Sequence, residues 1–265
     1  MCVIASRSAV RLRVVLSVPA ATVCAMTAVP PCRVYELRQY TLRPHAGDGF
    51  EALFDAELVD TQEATGMRVL GQFRDLDRPD AFVWVRGFAD MTARREALQA
   101  FYGGPVWAAH RDVANNMMLD SDDVLLLETA QQGPALDASV EARSPGGRGT
   151  APASLLMVEV CPLAQRDTEN YLQRYQHAIA PLLVSAGARP LPALRTLHAA
   201  NTFPRLPVRE GEHFAVTLTA FAYRAAAAAL VHDPIYQAAA ATLDPLASGP
   251  IQRLRLAPTA RSALR

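Results

Sequence analysis

Apolar and polar residues alternate from residue 34 to 42 (VYELRQYTL) with the period of a β-strand. Tyr35, Leu37 and Gln39 fall on one face; Val34, Glu36, Arg38 and Tyr40 fall on the other. Pro44 and Gly47 end the run. The period then lengthens. Phe50, Leu53, Phe54 and Leu58 share one face of a helix expected over 48–65, with Gly66 placed as its C-terminal stop. Residues 67–73 and 82–88 read as strands around a turn at 75–80. Residues 91–102 and 105–118 read as helices, with Pro105 suited to a first turn. Asp120, Ser121, Asp122 and Asp123 read as a loop before a fourth strand at 124–127. The element order is βαββαβ, the split ferredoxin-like unit.

Residues 129–153 are rich in Ala, Gly, Pro and Ser and lack periodicity, which predicts a flexible linker. The pattern then returns. A strand is expected at 155–160. A helix capped by Asp167 or Thr168 follows, carrying Leu172, Tyr175, Ile179 and Leu182 and stopped by Gly187. Strands at 191–199 and 214–221 flank a proline-broken loop, helices cover about 223–231 and 234–243, and a strand at 251–256 closes the unit. The chain thus reads as a leader (1–33), an N-terminal unit (34–128), a linker (129–153), a C-terminal repeat (154–258) and a tail (259–265). The repeats overlay at Glu36 on Glu159, Gly66 on Gly187, Phe88 on Phe221, and Gly104-Pro105-Val106-Trp107 on Asp233-Pro234-Ile235-Tyr236.

Composition narrows the function classes. Arginine and acidic residues balance at 26 each, which argues against nucleic acid or an anionic membrane as an obligate partner. There is no lysine, which excludes a lysine Schiff base. Cys2, Cys24, Cys32 and Cys161 show no metal or redox spacing, so neither disulfides nor zinc ligation is expected and the setting reads as reducing and cytoplasmic; with no nucleophile elbow, P-loop or dinucleotide fingerprint, no cofactor is expected. The leader places Arg7, Arg11 and Arg13 before a short apolar run, as a signal peptide does. Pro19 interrupts that run, which is too short to span a bilayer, so a disordered leader or an upstream start is the preferred reading.

The opening YELRQYTLRP and the stretch FVWVRGFADMTARREALQAFYGGPVWAAHRDVANNMMLDSDDVLLL resemble the NIPSNAP family over most of residues 34–127. The C-terminal repeat matches only in pattern. The resemblance implies a dimeric α/β barrel architecture: an α+β fold with two four-stranded antiparallel sheets packed face to face and helices outside. Tandem repeats let one chain close that barrel as a monomer, or two chains pair as a homodimer. The family's biochemical role is undefined. Related barrels include cofactor-free monooxygenases and isomerases acting on small aromatic or hydrophobic compounds.

The repeats act as an internal control. His110 and Arg111 meet Ala239 and Ala240, while Arg86 and Trp84 meet Thr219 and Thr217. Polar groups therefore concentrate in the N-terminal unit. The candidate catalytic residues are His110, Arg111 and Arg86, and the candidate ligand-binding residues are Glu36, Arg38, Tyr40, Trp84, Tyr102, Trp107 and Asn115. The bland reading puts His110 and Arg111 on a solvated helix face, and Glu36 at a sheet edge. The aspartates at 120–123 lack the glycine and distal glutamate of a calcium loop. The function expected is binding of a small hydrophobic or aromatic molecule, with cofactor-free oxygenation or isomerisation as the candidate chemistry. A non-catalytic adaptor is the alternative.

Overall fold

The computed structural model describes residues 30–131, 135, 136, 143 and 149–265. Residues 1–29 of the expected leader and most of the expected linker lie outside the described residues.

Strand β1 (Val34–Leu42) lies between β3 (Ala81–Phe88) and β4 (Met118–Thr129), and β2 (Arg68–Asp75) pairs with the far edge of β3. The second unit repeats this plan with β5 (Leu155–Pro162), β6 (Arg189–Pro190), β7 (Leu194–Thr196), β8 (Phe214–Phe221) and β9 (Gln252–Pro258). There β5 lies between β8 and β9, and β8 carries β6 and β7. The two sheets join at both edges. Phe73–Asp75 of β2 pair with the end of β9, and the end of β4 pairs with β7. All these pairings are antiparallel, and the circuit β5-β9-β2-β3-β1-β4-β7-β8 returns to β5 within one chain.

Helices cover the outside. In the first unit, α1 (Gly47–Leu53) and α2 (Val59–Glu63) are separated by a π turn at Phe54–Leu58, followed by α3 (Met91–Tyr102) and α4 (Pro105–Met117). The second unit has α5 (Thr168–Arg174), a π turn at Tyr175–Ile179, α6 (Ala180–Ser185), α7 (Arg224–Val231) and α8 (Pro234–Ala241). Gly66 and Gly187 adopt φ of 92° and 75°, the left-handed conformation that ends each first helical run without a Cβ penalty.

Alternation along the strands sorts the core into three layers. Tyr35, Leu37, Val83 and Val85 meet Leu156, Val158, Val216 and Leu254 between the sheets. Tyr40, Phe82, Trp84 and Phe88 turn the other way and pack on Phe50, Phe54, Leu98 and Phe101 of the first helical layer. Tyr171, Tyr175, Ile179 and Tyr236 form the corresponding layer of the second unit. The face bearing Glu36, Arg38 and Tyr40 therefore looks neither into the space between the sheets nor out to solvent. It lies beneath the helices of its own unit.

Three local expectations change. The aspartates at 120–123 sit inside β4, not in a loop. Two register shifts against β1 let the strand continue while Asp120 accepts a hydrogen bond from the Asp122 amide at 2.8 Å, so turn chemistry is absorbed as a bulge. Of the strand expected at 191–199 only Leu194–Thr196 forms one (β7), with the two-residue β6 just before the expected start, because Pro192 has no amide to pair. The overlay of Glu159 on Glu36 is out by two residues. Val34 faces Phe88 and Leu155 faces Phe221, so with the phenylalanines aligned the counterpart of Glu36 is Met157.

The segment 259–265 runs back into the first unit. Arg261 Nη1 donates to the Asp55 carbonyl at 2.8 Å, the Gln72 amide donates to Ser262 Oγ, and the Leu264 amide donates to the Leu70 carbonyl at 2.8 Å. Leu264 is fully buried between the sheets. Leu264→Ala is expected to destabilise the protein by about 3 kcal/mol, from lost apolar transfer plus a cavity that the barrel wall is too rigid to fill. Urea denaturation checks this; a loss within error of zero would mean the segment is not packed in solution.

Candidate functional site

Glu36, Arg38, Arg86 and Arg94 form a closed cluster under the helices of the first unit, each about 1% exposed or less. Cross-strand register places Glu36 opposite Arg86, and alternation puts Arg38 on the same face. Arg94 comes from α3. Asp90 starts that helix by accepting from the Thr92 and Ala93 amides, and the i, i+3, i+4, i+7 spacing puts Arg94 in line with Ala97, Leu98 and Phe101 on the buried face.

The geometry is dense. Glu36 Oε2 accepts from Arg38 Nη1 and Arg86 Nε, both at 2.8 Å, and Oε1 accepts from Arg94 Nε at 2.7 Å. Arg86 Nη1 reaches Gln62 Oε1 at 3.3 Å, and Arg38 Nε donates to the Tyr40 hydroxyl at 3.0 Å. Arg94 Nη1 donates to Asn201 Oδ1 at 3.0 Å and Thr202 Oγ1 at 3.2 Å, both from the C-terminal unit. Arg86 Nη2 also touches Glu36 Oε2 at 2.7 Å, but its direction is wrong for a hydrogen bond. We assign that contact to Coulomb attraction, with the Nε bond holding the orientation. Arg94 Nη2 has no acceptor among the described residues.

Three cations thus face one anion in a space closed to water. Burial alone would push the Glu36 carboxyl up, but Arg86, Arg38 and Arg94 together hold it well below the usual carboxylate range. Burial lowers Arg94, against the pull of Glu36. Burial opposes charge on Arg38 as well, yet Tyr40 and Glu36 more than offset it, so Arg38 is held above its ordinary value. Burial raises the Tyr40 phenol despite Arg38 beside it, so Tyr40 stays protonated at neutral pH.

Beside this cluster lies an aromatic cavity of about 30 Å³, room for roughly one water. Tyr40, Phe50, Phe54, Gln62, Trp84 and Tyr102 are among its walls. The Arg38 and Arg86 guanidiniums lie 5.6 and 4.9 Å from the Trp84 ring centre, at cation–π range. Trp84 Nε1 is buried with no acceptor among the described residues. Tyr102 and Trp107 close one side, their rings 5.0 Å apart at 78°.

The expected site residues divide between this interior and its surroundings. Glu36, Arg38, Tyr40, Arg86 and Trp84 converge on the cluster and cavity, and Tyr102 and Trp107 wall it. His110 stands at the seam between α4 and the π turn, 3.7 Å from Glu57 and not in the cavity lining. Arg111 is mostly exposed and sits 3.4 Å from Asp112. Arg111 and Asn115 line an outer cleft that shares Tyr102 and Trp107 with the cavity. Sequence reading missed Arg94, Gln62, Asn201 and Thr202. Only Arg94 carried a visible signal, a charge on the apolar stripe of its helix.

Residues 35–131 match the family model for NIPSNAP. No curated protein matches the chain. Among solved structures, a proposed monooxygenase from Lactobacillus acidophilus NCFM is 10% identical with a TM-score of 0.54, covering 88% of this chain and 97% of its own. A second proposed monooxygenase, from Fusobacterium nucleatum, is 7% identical with a TM-score of 0.55, covering 86% and 93%. An anthrone oxidase-like protein is 15% identical with a TM-score of 0.56, covering 85% and 91%. These likenesses establish the shared barrel fold across both units.

Glu36→Gln is expected to cost about 3 kcal/mol or more near pH 7, because it leaves three buried guanidiniums uncompensated. Glu36 has a lower pKa folded than unfolded. Its contribution is therefore complete above the ordinary glutamate value of about 4.3 and is lost as pH falls below that through the folded value. Burial moves Asp55 the opposite way, so the useful quantity is the difference between wild type and E36Q. Urea denaturation should give a difference that is flat above about pH 5 and shrinks below it. A difference unchanged down to about pH 3 would mean Glu36 is not held ionised in the fold.

Proposed function

We propose that this chain, which carries a NIPSNAP domain closed into a barrel by its own second repeat, binds a small aromatic molecule with an acceptor oxygen in the N-terminal unit. The observation that carries this reading is the Trp84 indole N–H, a buried donor without an acceptor among the described residues, on a ring that lines an aromatic cavity beside the Arg38–Tyr40 pair. An unmade hydrogen bond in such a place costs about 1–3 kcal/mol, which a ligand oxygen would recover. The Tyr40 hydroxyl is already held by Arg38, so its own proton can point to that same oxygen.

The excess positive charge favours the ionised form of a bound phenol or enol. Cofactor-free oxygenation or isomerisation of that anion is the chemistry the site suits, in keeping with the monooxygenase descriptions of two fold neighbours. His110, which sits beside Glu57 at the seam between α4 and the π turn and outside the cavity lining, is our assignment for the proton-transfer group, and Arg86 for the group that fixes the cluster. Arg111 and Asn115 belong to the entrance. The ligand needs more room than the cavity offers at rest, so Tyr102 and Trp107 must move when it enters.

We further propose a monomer, since both joints between the sheets are made within one chain. No helix among the described residues is long and apolar enough to cross a membrane, and the lack of metal or redox spacing among the cysteines fits a cytoplasmic setting.

Isothermal titration with 2-naphthol tests the reading. Trp84→Phe keeps the ring wall and removes the donor, so it is expected to weaken binding roughly three- to tenfold. Equal affinity for the two proteins would remove Trp84 from the site. Turnover of a bound phenol that survives unchanged in His110→Ala would remove the acid–base assignment.

A further inference from the structure

The outer cleft, about 440 Å³, and the aromatic cavity are separated by two side chains, Tyr102 and Trp107, which line both. The two rings stand on either side of Gly103-Gly104, the turn between α3 and α4. A β-carbon at Gly103 would come within 2.8 Å of the Gln99 carbonyl, and one at Gly104 within 2.9 Å of the Ala100 carbonyl. Only glycine lets the chain turn this tightly over the last carbonyls of α3, and the turn leaves the two rings 5.0 Å apart. The cleft on the far side is completed by the other unit: Phe203 stacks on Tyr102 at 5.8 Å and 27°, and Arg205 lies beside it. The cleft is cationic. Asp112 also lines it and pairs with Arg111 at 3.4 Å, whereas Arg205 makes no ion pair among the described residues, which leaves one net positive charge.

We propose that cleft and cavity are one binding channel divided by the Tyr102–Trp107 pair, and that its ligand is an aromatic acid. The ring system occupies the inner space, and its carboxylate stays in the cleft on Arg205 and Arg111. This rests on the aromatic-binding reading above and adds a ligand class and a specificity residue to it. The two ends differ in what they can hold. The inner end is closed to water and offers ring faces and the Trp84 N–H, which suits a single phenol or enol oxygen and leaves no solvent for both oxygens of a carboxylate. The outer end is open to solvent, where a carboxylate keeps part of its hydration and gains a guanidinium. Arg205 comes from the loop between β7 and β8, so the C-terminal unit sets the preference of a site whose floor belongs to the N-terminal unit.

The test compares 2-naphthoate with its neutral counterpart 2-naphthalenemethanol by isothermal titration, on wild type and Arg205→Gln. The expected result is that wild type prefers the acid, and that R205Q lowers affinity for the acid roughly fivefold while leaving the alcohol unchanged. The chain has only two tryptophans, Trp84 and Trp107, so the two indole N–H signals of a nitrogen-correlated NMR spectrum locate the ring without any mutation. Shifts of both signals on adding naphthoate are expected. A shift of the Trp107 signal alone would confine the ligand to the cleft and overturn the single channel. Equal binding of acid and alcohol in both proteins would overturn the aromatic-acid assignment while leaving aromatic binding intact. No binding of either probe, with 2-naphthol also silent, would overturn both readings.

Discussion

A carboxylate enclosed by three guanidiniums is the constraint on which the first unit depends. Taking four charged groups out of water costs several kcal/mol each, and only tight geometry with nearly complete hydrogen bonding repays it. That demand reaches outward. Arg38 and Arg86 fix the β1–β3 register, because a slip of one residue would turn one of them to the wrong face. Arg94 fixes where α3 lies on the sheet. Asn201 and Thr202 tie Arg94 to the C-terminal unit, so the two halves meet at the cluster as well as at the strand joints. Replacing the four side chains with apolar ones would remove a cost, yet it would also remove the local positive field that makes the neighbouring cavity suited to an anion.

The second unit shows what the same architecture looks like without that demand. Met157 stands where Glu36 stands, Thr219 where Arg86 stands, and the layer under its helices is filled by tyrosines and aliphatic side chains. Glu159 forms its own pair with Arg253, a half-exposed partner on β9. The ionic cluster is therefore not needed to fold a unit of this kind. That contrast is the reason to read the first cluster as functional.

Much of this was legible in the chain. Strand alternation gave β1 and the pairing of Glu36, Arg38 and Tyr40 on one face, and the returning pattern gave two units. What could not be read was which way that face would turn. A strand buried on both sides looks the same whether its polar side meets a sheet or a helix. The misplaced Glu159 overlay came from matching a short motif, where only the opposite strand fixes register. Asn201 and Thr202 lie more than a hundred residues from Arg94 in a proline-broken loop, with no local pattern to mark them. The proline that shortened the strand expected at 191–199 to β7, Pro192, was visible in composition, and its missing amide outweighed the apolar run.

Closure of the barrel by one chain also has a consequence for its synthesis. The outer edge of β2 waits for β9, and that of β4 waits for β7, so the N-terminal unit emerges with two open sheet edges and one bare apolar face. Those edges and that face are what a second nascent copy would recognise. The covalent link answers this by holding the correct partner at high local concentration, ahead of any neighbour on the same message. The same link frees the two halves from having to be alike, so that one can keep the buried charged cluster while the other supplies the Asn201 and Thr202 side chains that tie Arg94 down.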